Sequence, residues 1–261
     1  MKRWLSAIAA ITFALVSVHP TRAQDTQGEI TLLAPGIMQE PVEQLLKGFE
    51  AKTGHKVKAT FGNEDGTKQQ IIKGEPFDVP LLETTGKTPI EAVTASGNVV
   101  ASSATPVAKI FVGVAVRKGA PKPDISTPEA VKRMLLAAKS IAYPDLAALP
   151  ASGISVNDTI KKLGLAEELM PKTKFGRGGA GSMTLVANGE AEIGFTFLPG
   201  MVDPGIDIVG TMPPAISPPT VVTGFVSSHA KDAAAAKELL TYLSSPEADA
   251  TYRASKMQPG R

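Results

Sequence analysis

The chain has 261 residues, of which 43% are hydrophobic, 20% are charged and 5% are aromatic, and its formal net charge is only +2. A chain so close to neutrality, without a basic run, has no electrostatic reason to bind nucleic acid or a membrane surface. Because it has no cysteine, disulfides, thiolate nucleophiles and thiolate metal sites are excluded.

The N-terminus has the layout of a secretory signal peptide. Lys2 and Arg3 precede an apolar stretch over residues 4–18, which is short for a transmembrane helix, and small residues follow it. This layout predicts a signal peptide at residues 1–23 that is cleaved after Ala23. We therefore expect export to the periplasm and no membrane insertion of the mature chain. The signal carries three of the 27 basic residues and no acidic one, so the mature chain has 24 basic against 25 acidic residues.

The mature chain opens with a predicted strand, helix and strand. Residues 29–34 form a short, nearly continuous apolar run, which is typical of a strand covered on both faces. Pro41 suits the first position of a helix that ends at Thr53 and Gly54, and residues 56–61 predict the next strand.

The same alternation continues to the C-terminus. Further strands are predicted at residues 78–82, 109–116, 140–143, 192–197, 206–209 and 221–226. Further helices are predicted at residues 68–73, 89–95, 127–138, 156–163, 182–188, 230–243 and 246–255. This alternation predicts an α/β fold with a largely parallel arrangement of strands. The mature length favours two lobes over a single core, and four prolines within residues 213–219 predict a crossing between the lobes.

Histidine is scarce in the mature chain. His55 and His229 remain after cleavage, whereas a zinc site or a serine nucleophile needs a convergent histidine. His55 lies in the turn of residues 53–56, where we expect a solvated surface side chain. The sequence therefore predicts no metal site and no cofactor.

Four strings of the sequence resemble a known family. They are Phe49–Val57 at a helix end and turn, Gly74–Val79 with the pattern Gly-x-Pro-x-Asp-Val, Asn188–Gly194 around a Gly-Glu-Ala turn, and Ser244–Ala248 with Ser-Pro-Glu at a helix start. In this order and at these separations, the strings resemble the molybdate-binding proteins of bacterial importers and, more loosely, type II periplasmic binding proteins.

The resemblance implies an α/β fold with two lobes joined by two crossovers. Residues 28–105 plus 213–261 would form the first lobe and residues 106–212 the second, each a mixed, mostly parallel sheet flanked by helices. The resemblance also implies one small ligand held between the lobes and an inner-membrane ABC permease as partner, and we expect the protein to be a monomer.

The same resemblance places the ligand at helix N-termini, and elementary physics supports this placement. Backbone N–H groups at the start of a helix have no intrahelical partners and can receive an anion without a charged side chain. The segments 34–38, 63–67 and 151–155 would face the cleft, and the last of them supplies Ser152 as a ligand-binding candidate.

The chain departs from the family where oxyanion ligands are expected. The family's first serine falls at Gly36 or Ile37, its second at Asn63 or Glu64, and its cleft tyrosine near Phe197, which has no hydroxyl. A carboxylate such as that of Glu64 would repel an oxyanion about 4 Å away by roughly 4 kcal/mol at a surface-like dielectric constant. The sequence therefore predicts that the ligand is not molybdate, and an organic carboxylate is the expected anion.

Four further side chains are candidates for binding a carboxylate ligand: Lys68, Thr84, Tyr143 and Arg177. Arg177 lies in the glycine-rich segment 175–181, where a guanidinium group could hold a carboxylate through two hydrogen bonds. The same segment is also typical of an ordinary flexible loop, so both interpretations of Arg177 stay open.

Two functions follow from these observations. The favoured one is a solute-binding protein that delivers a small organic anion to an importer, because the family that the sequence resembles consists of binding proteins. The alternative is an aconitate isomerase, an activity known on a scaffold of this kind, with Glu64, Asp65 or Asp145 as proton-transfer group. Glu64 and Asp65 equally fit solvent-facing acids at a helix start, and Asp145 equally fits a turn cap.

Overall fold

The structure, a computed structural model, describes residues 28–148 and 150–261, so the predicted signal peptide lies outside the described residues. Its strands are β1 (Ile30–Pro35), β2 (Val57–Gly62), β3 (Val79–Glu83), β4 (Thr105–Ile110), β5 (Val112–Arg117), β6 (Ile141–Pro144), β7 (Thr173–Gly176), β8 (Ile193–Phe197), β9 (Ile206–Thr211), β10 (Thr220–Gly224) and β11 (Gln258–Pro259). Its α-helices are α1 (Gln39–Thr53), α2 (Glu64–Ile72), α3 (Ile90–Ala95), α4 (Pro128–Ala137), α5 (Ala151–Lys162), α6 (Ala166–Leu169), α7 (Gly178–Ala187), α8 (Ala233–Leu243) and α9 (Asp249–Ala254). Within these ranges, no helix has the length and apolar character needed to cross a membrane.

The first sheet has the strand order β11-β4-β10-β3-β1-β2. β1 pairs in parallel with β2 and β3, whereas β10 runs antiparallel to β3 and β4. Leu32 of β1 shares a core with Phe49 of α1, and Leu33, on the opposite face of the same strand, packs in a second cluster with Ile71 and Val93. Both faces of β1 are therefore covered, as its continuous apolar run predicts.

The second sheet has the strand order β7-β6-β8-β5-β9. β6 is parallel to β7 and β8, and β5 is antiparallel to β8 and β9. Met183 and Val186 of α7 pack with Ala115 and Ala142 against this sheet. The molecule is thus a two-lobed α/β protein with one mixed sheet in each lobe, in agreement with the predicted fold class.

The chain passes from the first sheet to the second at Phe111, the single residue between β4 and β5. The prediction of one strand over residues 109–116 is therefore wrong, because the apolar run continues across a junction that carries neither glycine nor proline. Residues 106–110, predicted for the second lobe, lie in the first sheet. The chain returns through the proline-rich residues 212–219 between β9 and β10.

α1 begins at Gln39, two residues before the predicted Pro41, and three other helices begin four or five residues earlier than predicted. α2, α5 and α7 start at Glu64, Ala151 and Gly178, because their first turns are built from polar and small residues that carry no apolar periodicity. Asn63 caps α2, since its Oδ1 accepts a hydrogen bond from the Gly66 backbone N–H at 2.6 Å. Of the segments predicted to face the cleft as loops, 63–67 and 151–155 are thus mainly N-terminal helical turns.

His55 is not a solvated surface residue. Its side chain is only 8% exposed, its ring stacks on Phe49 with centroids 6.0 Å apart, and its Nε2 lies 3.5 Å from Oε2 of Glu238. The expectation of an exposed histidine is wrong because α8, which carries Glu238, covers the turn that follows α1.

Candidate functional site

A cavity of about 360 Å³ lies between the two sheets, and we call it the interlobe cavity. From the first lobe it is lined by Pro35, Gly36, Ile37, Gly62, Asn63 and Glu83, which lie at the carboxyl ends of β1, β2 and β3. From the second lobe it is lined by Pro150, Ser152, Gly179, Ala180, Thr196, Phe197, Gly200 and Val202. Carboxyl ends of parallel strands are the usual ligand-binding edge of such sheets.

The first turns of two second-lobe helices and the cap of one first-lobe helix line the interlobe cavity. Ser152 is the second residue of α5, Gly179 and Ala180 belong to the first turn of α7, and Asn63 caps α2. The N–H groups of a helical first turn carry partial positive charge and lack intrahelical acceptors. The geometry is therefore suited to an anion.

Two hydroxyl groups of the second lobe add neutral donors. Ser152 is 8% exposed and Thr196 is 2% exposed, and both residues line the interlobe cavity. A hydroxyl group can donate one hydrogen bond and accept others, so both side chains suit a ligand with anionic oxygens. The sequence prediction missed Thr196, although a polar residue inside the buried strand Ile193–Phe197 is a detectable signal.

A buried carboxyl group also belongs to the interlobe cavity. Glu83 ends β3, is 1% exposed, and both of its carboxylate oxygens are shielded from solvent. Prediction from the sequence missed this residue too, although an acid that ends a wholly apolar strand is unusual. Among the described residues that line the cavity, none is a lysine, arginine or histidine.

Five of the residues predicted to bind the ligand line the interlobe cavity. They are Gly36, Ile37, Asn63, Ser152 and Phe197. For Glu64, the structure describes only the backbone position, at the start of α2. Phe197 is 3% exposed and presents an aromatic ring without a hydroxyl.

Lys68 and Asp65 do not line the interlobe cavity and instead contact the loop after β3. Lys68 is fully buried, and its Nζ donates hydrogen bonds of 2.8 Å to the backbone carbonyls of Thr85 and Thr88. Asp65 accepts a hydrogen bond of 3.0 Å from the Thr88 backbone N–H. Both side chains thus hold this loop against α2.

Tyr143 and Thr84 also lie away from the interlobe cavity. Tyr143 is 3% exposed within the second-lobe core, where its ring meets Phe175 edge-on at 5.2 Å, and burial raises the pKa of its hydroxyl. Thr84 is exposed, and its hydroxyl accepts a hydrogen bond of 3.1 Å from the Val221 backbone N–H.

The remaining two candidates, Asp145 and Arg177, are exposed side chains outside the lining of the interlobe cavity. Asp145 accepts a hydrogen bond of 3.0 Å from the Ala147 backbone N–H, which is the geometry of a turn cap. Arg177 directly precedes α7. Its glycine-rich segment is the end of β7 followed by the first turn of α7, rather than a loop.

A second, larger space of about 860 Å³ adjoins the interlobe cavity, and we call it the outer cavity. It shares Gly36, Ile37, Gly200 and Val202 with the interlobe cavity and is otherwise lined mainly by polar side chains of α1 and by residues 254–256. Helix starts and buried polar groups converge on the smaller space, which is therefore the better candidate for the ligand. In the described ranges, no group of three or more acidic or histidine side chains is placed to hold a metal ion.

Comparison with protein families gives one match over nearly the whole described chain. A family model described as bacterial extracellular solute-binding protein matches residues 30–256.

Two relatives of known name cover most of this chain. An aconitate isomerase from a Pseudomonas species is 31% identical over 260 residues, which are 96% of this chain and 95% of the relative. The molybdate-binding protein ModA of Azotobacter vinelandii is 31% identical over 230 residues, which are 87% of this chain and 88% of the relative. The two names carry different functions on related sequences.

Comparison with solved structures supports the same fold. The periplasmic molybdate-binding protein of Azotobacter vinelandii superposes with a TM-score of 0.65 at 19% identity, over 87% of this chain and 98% of the other. A match at this level of identity concerns the fold alone.

Proposed function

The chain belongs to the bacterial extracellular solute-binding proteins, and on this premise we propose that its interlobe cavity holds a small organic anion with more than one carboxyl group. The observation that carries the proposal is that helix N-termini and the hydroxyls of Ser152 and Thr196 line the same cavity, whose volume is about 360 Å³. A space of this size suits a small organic acid. Backbone N–H groups and hydroxyls can bind carboxylates without help from a basic side chain.

The site disfavours molybdate for two reasons. Gly36, Ile37 and Phe197 offer no side-chain hydroxyl to a tetrahedral oxyanion. In addition, the carboxyl group of Glu83 lines the same space, and two like charges about 4 Å apart repel by roughly 4 kcal/mol at a surface-like dielectric constant. An organic acid can place its carboxylates against the helix starts of the second lobe and its carbon skeleton toward Glu83, whereas molybdate carries its whole charge on one compact centre.

In the cell, we place this binding function in the periplasm. Residues 1–23 have the layout of a signal peptide, and the family works outside the cytoplasm. The bound anion would be delivered by the monomeric protein to an ABC permease of the inner membrane.

The ligand class is testable by thermal melts of the mature protein. We expect citrate, cis-aconitate or trans-aconitate to raise the melting temperature, and molybdate and tungstate to leave it unchanged. A ligand at a hundred times its dissociation constant adds about 2.7 kcal/mol, which corresponds to roughly 5–10 °C for a chain of this size. A rise with molybdate and none with the organic acids would contradict the proposal.

A second candidate function is the isomerisation of aconitate in the same cavity. The relative that is 31% identical over 96% of the chain is named for this activity, and the cavity contains a buried carboxyl group that simple anion binding does not require. Ultraviolet absorbance of the mature protein mixed with cis-aconitate measures turnover directly. If tricarboxylates raise the melting temperature and no turnover occurs, the binding function stands alone.

A further inference from the structure

We propose that Glu83 is the group that moves a proton to and from the ligand in the interlobe cavity. This inference rests on the proposed tricarboxylate ligand and on the second candidate function. Glu83 lines the cavity at the carboxyl end of β3, and its side chain is 1% exposed. Among the described residues that line the cavity, it has the one ionisable side chain.

The burial of Glu83 is the first argument. Transfer of a carboxyl group from water into a protein interior costs free energy that a leucine or methionine at the same place would not cost. β3 is otherwise a strand of buried apolar residues, so packing alone would favour such a residue at its end. Buried ionisable groups in clefts are typical of sites where a proton is transferred.

The surroundings of Glu83 provide the second argument. The first turns of α5 and α7 line the same cavity from the opposite lobe and are suited to hold ligand carboxylates. Ser152 and Thr196 add neutral hydroxyls there. A ligand held by its carboxylates against the second lobe would turn its carbon skeleton toward Glu83 on the first lobe.

The third argument is the placement of the two described carboxyl groups that the sequence favours as bases. Asp65 and Asp145 accept hydrogen bonds from the backbone N–H groups of Thr88 and Ala147, and neither lines the interlobe cavity. A proton-transfer group must come within hydrogen-bond reach of the reacting carbon. Of the three described candidates, Glu83 alone lines the cavity that would hold that carbon.

The reaction on an unsaturated tricarboxylate balances without a cofactor. The Glu83 carboxylate takes a proton from the methylene carbon next to a ligand carboxylate, and the electron pair of that C–H bond forms the new carbon–carbon double bond. The electron pair of the old double bond forms a new C–H bond at its far carbon with the proton of the Glu83 carboxyl group, which exchanges with water in part before it is delivered. The negative charge that develops on the ligand carboxylates is stabilised by the helix N-termini of the second lobe.

The test is the isosteric substitution Glu83→Gln in the mature protein. We expect turnover of cis-aconitate to fall by about 100-fold to 10,000-fold, which is the usual contribution of a general base. Incorporation of deuterium from D2O into trans-aconitate, followed by proton NMR, should fall in parallel. The rise in melting temperature with trans-aconitate should persist, because the amide keeps the shape of the site.

Two further variants make the result specific. Glu129→Gln changes an exposed acid in the first turn of α4 and should keep full turnover and exchange. Glu83→Asp keeps a carboxyl group one methylene further from the ligand, and we expect it to retain a measurable fraction of the activity. It therefore serves as the test if Glu83→Gln does not fold.

The outcomes separate the inference from the function on which it rests. Full turnover by Glu83→Gln would overturn the role of Glu83 and leave the isomerase function standing. A parent protein that is stabilised by trans-aconitate and shows neither turnover nor exchange would overturn the role of Glu83 and keep tricarboxylate binding. A parent protein that no tricarboxylate stabilises would overturn the proposed ligand class and the role of Glu83 together.

Discussion

At the scale of single residues, Asp78 has a structural role within Gly74–Val79, one of the four strings that resemble the family. Its side chain is buried, and Oδ2 accepts hydrogen bonds of 2.7 Å from both the backbone N–H and the hydroxyl of Thr31. Its Oδ1 accepts a third hydrogen bond, of 2.9 Å, from the backbone N–H of Lys231. One carboxylate thus connects the start of β1, the start of β3 and the segment before α8.

We expect Asp78→Asn to lower the free energy of unfolding by about 1–3 kcal/mol. An amide has one acceptor oxygen, so at least one of these buried donors loses its partner, and the charge that strengthens the others is gone. Urea denaturation of the mature protein measures the difference. Asp158→Asn is the matched control, because Asp158 is an exposed residue of α5. Equal losses in both variants would contradict the structural role of Asp78.

At the scale of secondary-structure elements, apolar patterning predicted the buried strands well. β1, β3 and β8 fall within one or two residues of their predicted positions, because their side chains are buried on both faces. Patterning failed for β7, whose four residues Thr173–Gly176 are mostly not buried. It also failed at Phe111, since two strands of different sheets follow each other there without a turn residue.

The candidate site was predictable only where backbone geometry defines it. Gly36, Asn63 and Ser152 follow from the resemblance to a family that binds ligands at helix starts, and the structure places them at the interlobe cavity. Glu83 and Thr196 have no counterpart in that resemblance, and their roles depend on which lobe faces them. Such a pairing of distant segments is a property of the tertiary structure and not of local sequence.

The first turn of α7 depends on close contact with β8. A Cβ atom added at Gly179 would overlap the hydroxyl oxygen of Thr196. We therefore expect Gly179→Ala to displace α7 or Thr196 and to weaken binding of the stabilising organic acid by about tenfold or more, with about 1–3 kcal/mol lost in stability. Isothermal titration and thermal melts measure the two effects.

Gly181→Ala is the matched control for this prediction, since it lies in the same turn of the same helix. A Cβ atom there would meet its nearest neighbour, Cβ of Arg177, at an ordinary contact distance of 3.4 Å. Alanine in place of glycine favours the helix by roughly 1 kcal/mol, so this variant should bind normally and melt no lower than the parent. Normal binding by Gly179→Ala as well would show that the close contact is not needed.

At the scale of the whole molecule, a hydrogen bond joins the two lobes beside the outer cavity. Nζ of Lys256, which lies between α9 and β11, donates to the carbonyl oxygen of Met201 in the second lobe at 2.8 Å. Lys256 is also the one described residue other than glycine with a positive φ, 57°. The left-handed backbone conformation costs a residue other than glycine about 1–2 kcal/mol, so contacts around Lys256 must stabilise it.

We expect Lys256→Met to weaken binding of the stabilising organic acid by up to about tenfold. The arrangement in which both lobes line one cavity is the arrangement that encloses a ligand, and the bond to Met201 favours it. Loss of a charge-assisted hydrogen bond of about 1.5 kcal/mol lowers the population of this enclosed state, and the apparent affinity falls with that population. Methionine keeps the Cβ atom and an unbranched side chain out to Cε, so the backbone conformation at position 256 is equally costly in both proteins. Titration calorimetry measures the affinity, and small-angle scattering of the ligand-free Lys256→Met variant should give a larger radius of gyration than the parent. The control is Lys237→Met on the exposed face of α8, which should change neither the affinity nor the radius of gyration. Unchanged affinity and radius in Lys256→Met would mean that the lobes stay together without this bond.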